Sequence, residues 1–145
     1  MSSETETYFL SLDPFSFDQS SKGWRSISSI EGRIAAVEQY LKTYSQNGEW
    51  IDNTPESDED LSVSLLHWHL GQLYGMIDDY DKAILYMSLS IAGRDEQWDN
   101  YANATIMFLK KDRDGFEKYA DGENYNSKTL DNLRRNFDRT YKEAY

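Results

Sequence analysis

Apolar residues along this chain recur at the 3.6-residue period of an α-helix, and no stretch alternates as a half-buried strand does. In "SSIEGRIAAVEQYLKTYSQNG", Ile30, Ile34, Val37, Leu41 and Tyr44 recur at steps of four and three, which predicts a first helix within 27–48 that ends near Gly48. Ser28 followed by Glu31 has capping-box spacing at its start. Further helices are predicted over 61–77, 80–92, 96–110, 115–121 and 127–144, separated by short breaks. The last carries an apolar stripe of Leu130, Leu133, Phe137 and Tyr141 beside a basic side of Arg134, Arg135, Arg139 and Lys142.

Two segments lack the period. At the N-terminus, Pro14, Gly23 and the serines interrupt it, while Tyr8, Phe9, Leu10, Leu12, Phe15 and Phe17 are too apolar for a solvated tail. An extended arm over 1–26, packed on the domain, is the expectation. The stretch "EWIDNTPESDED" carries Glu49, Asp52, Glu56, Asp58, Glu59 and Asp60 with Pro55 and no basic residue, and predicts an acidic loop over 49–60. Its last acids would face the positive end of a helix beginning near Leu61. The organisation expected is one all-α domain over 1–145 with five to six helices: arm, first helix, acidic loop, helical pairs over 61–126, and a capping helix over 127–145.

The pattern of Leu70-Gly71, Tyr74, Asp79-Tyr80-Asp81, Ala83, Met87 and Ser90 in "LHWHLGQLYGMIDDYDKAILYMSLS" resembles the helix-turn-helix unit of the tetratricopeptide repeat family, over about 64–97. A degenerate second unit starts near Trp98, with Ala104 in place of Gly71 and Asp112 near its turn. "YANATIMFLKKDRDGFEKY" and "NFDRTYKEAY" are also similar to small bacterial tetratricopeptide-like proteins. The resemblance implies antiparallel hairpins in which Gly71 and Ala83 allow close approach, with flanking helices as caps. It maps the inner, groove-lining face to Leu65, Trp68, Gln72 and Met76, then to Trp98, Tyr101, Thr105 and Phe108. Either that groove is open, or the N-terminal arm or final helix covers it and makes these residues core.

Charge narrows the partners. The net charge of −11 argues against nucleic acid and against an anionic membrane surface, and favours a basic partner or none. No apolar run approaches the ~20 residues that span a bilayer, and no secretory leader is evident. With no cysteine there is neither disulfide nor thiolate chemistry, which fits the cytoplasm.

Candidate chemistry is thin. His67 and His69 lie about 200° apart around a helix and cannot converge on one metal; His67 is expected in the core and His69 against another helix or solvent. Asp112, Asp114 and Gly115 in "KKDRDGFE" lack the spacing of a calcium loop and read as a charged interhelical turn. No phosphate loop, nucleophile elbow or Cys/His pair is present, and neither cofactor nor metal is expected. The residues therefore favour a non-catalytic protein-binding module, monomeric or weakly dimeric alone. Within that class, an immunity or antitoxin-type inhibitor of a cognate basic toxin is the leading expectation. Its site would combine Leu65, Trp68, Gln72, Met76, Trp98, Tyr101 and Phe108 with Glu56, Asp58, Glu59 and Asp60. An assembly chaperone or adaptor is the alternative, and a carboxylate- or metal-dependent enzyme the alternative from a different class.

Overall fold

The computed structural model describes residues 2–46 and 58–145. Those residues form helices α1 (Ser3–Ser11), α2 (Pro14–Gln19), α3 (Ile30–Gln46), α4 (Asp58–Met76), α5 (Tyr80–Ser88), α6 (Glu96–Lys110), α7 (Arg113–Ala120), α8 (Ser127–Arg135) and α9 (Tyr141–Ala144). One 3-10 turn (Trp24–Ser26) lies between α2 and α3, and no strand occurs among the described residues. The fold is all-α, with more and shorter helices than the periodicity predicts.

Helix α4 is the hub and packs against α2, α3, α5 and α9. Its pairing with α5 is closest at Gly71, where an added Cβ would stand 2.6 Å from Met87 Cγ and 2.9 Å from the Ala83 carbonyl oxygen. A side chain there would push the two backbones apart. Ala83 and Met87 complete the contact and are wholly buried. Asp78, in the left-handed region at φ 63°, turns the chain between these helices, and the Asp79 carboxylate accepts from Lys82 N–H to start α5. Between α6 and α7, Lys111 takes the left-handed position and Asp112 caps α7 through Gly115 N–H. The Asp112 side chain is thus a helix cap.

The N-terminal segment is helical, not an extended arm. Ser2 caps α1, and Asp13 caps α2 by accepting from Ser16 N–H at 2.7 Å. Pro14 occupies the first turn of α2, where its missing N–H would have had no partner anyway. Both helices are too short to display a period, and each buries few side chains. Phe9 meets Phe17 edge-on, and Phe17 stacks on Tyr40 of α3 at 4.0 Å between ring centres. The Tyr40 hydroxyl donates to the Leu12 carbonyl at 2.7 Å.

Other boundaries also move. Helix α3 starts at Ile30, with Ser29 rather than Ser28 accepting from Gly32 N–H. Helix α5 stops at Ser88, short of 92, because the Ser88 and Ser90 hydroxyls bond back to Leu85 and Met87 carbonyls and Gly93 turns left-handed. Helix α7 begins at Arg113, one residue after its Asp112 cap. The predicted final helix is broken after Arg135, and a capping box between Thr140 and Glu143 starts α9. Lys111 Nζ holds the break, donating to the Phe137 carbonyl at 2.6 Å and the Arg139 carbonyl at 2.5 Å.

Candidate protein-binding surface

The predicted groove face is split into a covered end and an open end. Trp68, Tyr101, Thr105 and Phe108 are buried and belong to the core, so Trp68, Tyr101 and Phe108 do not contact a partner in this state, a correction to their place in the expected site. The cover is Tyr141 of α9. Its ring presses on Gly75, where an added Cβ would lie 2.8 Å from Tyr141 Cδ2, and meets Phe108 edge-on. The Tyr141 hydroxyl accepts from Gln72 Nε2 at 3.1 Å, while its backbone N–H donates to the Tyr80 hydroxyl at 2.8 Å. Burial pushes the Tyr101 and Tyr141 hydroxyls well above the ordinary tyrosine range. Gln72 and Met76 remain partly exposed at the edge of this contact.

At the other end, Leu65 and Trp98 stay partly exposed and line a pocket of about 210 Å³ between α4 and the start of α6. Its remaining wall comes from Ser64, from Ser90, Ala92 and Arg94 in the α5–α6 link, and from Asp95, Asp99 and Tyr125. Trp98 is fixed on both sides: its Nε1 donates to the Ser90 carbonyl at 3.2 Å, and its ring stands edge-on to Trp68 at 5.0 Å. Asp95 caps α6 through Gln97 and Trp98 N–H groups and accepts from the Tyr125 hydroxyl at 3.0 Å. Burial first, then the Asp95 bond, raises that hydroxyl to about 12. Asp99 accepts from Gly93 N–H at 3.0 Å and so closes the link over the helix start.

Of the four predicted acidic site residues, Glu56 lies outside the described residues. Asp58, Glu59 and Asp60 lie in the first turn of α4 rather than in a loop, since that helix begins at Asp58, not near Leu61.

The histidines diverge. His67 is buried, with Nδ1 3.0 Å from the Val63 carbonyl, and burial lowers its pKa. His69 Nδ1 lies 2.8 Å from Asp18 Oδ1, so it faces α2. Burial raises the Asp18 carboxyl, but bonds from His69, Trp24 and Gln19 together with the His69 charge outweigh it, leaving Asp18 below the ordinary range. Trp24 Nε1 donates to Asp18 at 2.9 Å, and the cluster fastens the N-terminal helices to α4. Among the described residues, no three His, Cys, Asp or Glu side chains group closely enough to hold a metal ion, and no helix is long and apolar enough to cross a membrane.

Sequence reasoning did not single out Ser64, Arg94, Asp95, Asp99 or Tyr125. Most of them sit in the break between periodic segments or in the loop after α7, where spacing carries no information. The one visible signal was a lone arginine in the acidic stretch "GRDEQWDN". No protein-family model, no curated protein and no solved structure matches this chain.

Proposed function

We propose that this protein is a non-catalytic protein-binding module that acts in the cytoplasm on a basic partner, in the manner of an immunity or antitoxin-type inhibitor. The observation that carries the reading is the open pocket at Leu65 and Trp98, which lies at the acidic end of α4. An aromatic-walled apolar pocket with Asp95 and Asp99 in its wall suits a partner with one apolar anchor among basic residues. The excess of 26 acids over 15 bases would steer such a partner toward the surface.

The chaperone alternative needs the whole groove free to hold a peptide, and Tyr141 occupies its end at Gln72, Gly75 and Phe108. The binding reading is tested by kinetics with the partner that co-purifies with the native protein. Neutralising Glu56, Asp58, Glu59 and Asp60 to Gln or Asn should slow association and flatten its salt dependence, and Leu65→Ala should speed dissociation. Unchanged association at low salt would reduce the acidic stretch to a solubility feature.

A further inference from the structure

Arg94 is the feature of the pocket that the fold does not explain. Its Nε and Nη2 are both buried, and neither has a hydrogen-bond partner among the described residues. Those two N–H groups form the parallel edge of a guanidinium that grips a carboxylate with two bonds. Leaving them dry and unpaired is costly, and native folds rarely do so without a reason. The carboxylates in the same pocket do not serve it: Asp95 is taken by the α6 N–H groups and Tyr125, and Asp99 bonds Gly93. Elsewhere in the molecule Arg134 shows what a satisfied arginine looks like here, paired to Glu117 at 2.9 Å and Asp131 at 2.8 Å. A second donor in the pocket, the Ser64 hydroxyl, is likewise buried without a partner among the described residues.

We propose that the pocket recognises a carboxylate carried on an apolar group, and that its source is the C-terminal residue of the partner polypeptide. This rests on reading the Leu65 and Trp98 pocket as a protein-binding site. Arg94 takes both carboxylate oxygens, Ser64 is available as a further donor, and the terminal side chain lies against Leu65, Ala92 and Trp98. A volume of about 210 Å³ suits one apolar side chain with its carboxylate. Asp95 and Asp99 in the walls disfavour a dianion such as phosphate, whose second charge would meet no further cation. Basic residues preceding the chain end would instead meet those same acids.

The test follows the Trp98 indole N–H resonance of the intact chain during titration with a short lysine-containing peptide that ends in phenylalanine. The peptide is supplied as the free acid and as the C-terminal amide, with N-acetyl-phenylalanine as a third probe. The free acid should shift Trp98 saturably, and the amide should bind about tenfold more weakly or not at all. Arg94→Lys keeps the charge but not the two-bonded edge and should weaken the acid about tenfold; Arg94→Gln should abolish the difference between acid and amide. The other amide resonances confirm that both variants stay folded. Equal binding of acid and amide overturns the carboxylate assignment while leaving the kinetic case for a protein partner standing. Absence of any Trp98 response at millimolar peptide overturns it as well. N-acetyl-phenylalanine binding as tightly as the peptide would replace the polypeptide end with a small carboxylic acid and overturn the assignment of source.

Discussion

The two ends of the α4–α6 face are built from the same kinds of residue and meet opposite fates. At one end Trp68, Tyr101 and Phe108 are core, and Tyr141, delivered by a separate C-terminal segment, packs on Phe108 and Gly75 there. At the other, Leu65 and Trp98 meet no such cover among the described residues and border a pocket. A helical period identifies which residues share a face; only the rest of the chain decides whether that face meets protein or water. The covered end should therefore answer to stability measurements, and the open end to binding measurements.

The sharpest way to break this contrast is at the cover. Tyr141→Ala removes a wholly buried ring against Gly75 and Phe108 and should lower stability by about 3–5 kcal/mol in chemical denaturation, as large aromatic truncations do. A loss below about 1 kcal/mol would mean the C-terminal segment merely rests on the groove.

Next in size is Gly71→Leu. With Met87 and the Ala83 carbonyl already within contact distance, the added side chain should cost about 1–3 kcal/mol by the same measurement. Leu65→Ala, at the open end, should cost less than either and show itself in faster partner dissociation. A stability loss matching Tyr141→Ala would erase the distinction between the two ends.

A pH effect is the smallest expected. Burial lowers the His67 pKa, so below about 6.5 the unfolded chain takes up a proton that the folded one refuses. Stability should fall as pH drops from there toward the folded pKa, and His67→Gln should remove that slope. Asp18 works in a lower window: its depressed pKa contributes stability above the ordinary value of 3.8, lost as pH falls through the folded value. Unfolding midpoints measured across these ranges check both.

Long helices with regular apolar spacing were legible in the sequence: α6 runs over 96–110 as its pattern predicts, and Gly71 stands at the close approach its spacing implied. The N-terminal helices were not, because Asp13-Pro14 is a helix start whose few buried residues show no period. The division of the last helix was written in "TYKE", whose Thr140 and Glu143 form a capping box, but the apolar stripe continued through it and masked the break. The site was half legible. Leu65 and Trp98 were placed on one face by the resemblance to the repeat family, whereas Phe108 is packed against Tyr141, far along the chain, and Arg94 acquires meaning only from what does not reach it. No local pattern encodes either fact.

Hydrogen exchange, compared between the free protein and its complex with a basic protein of the proposed kind captured by co-purification, tests the central claim most directly. The account predicts new protection at the amides of 90–99, around the pocket, with exchange of α9 and of 104–109 unchanged. Protection confined to the covered end, or α9 exchanging faster as a partner displaces Tyr141, would contradict it.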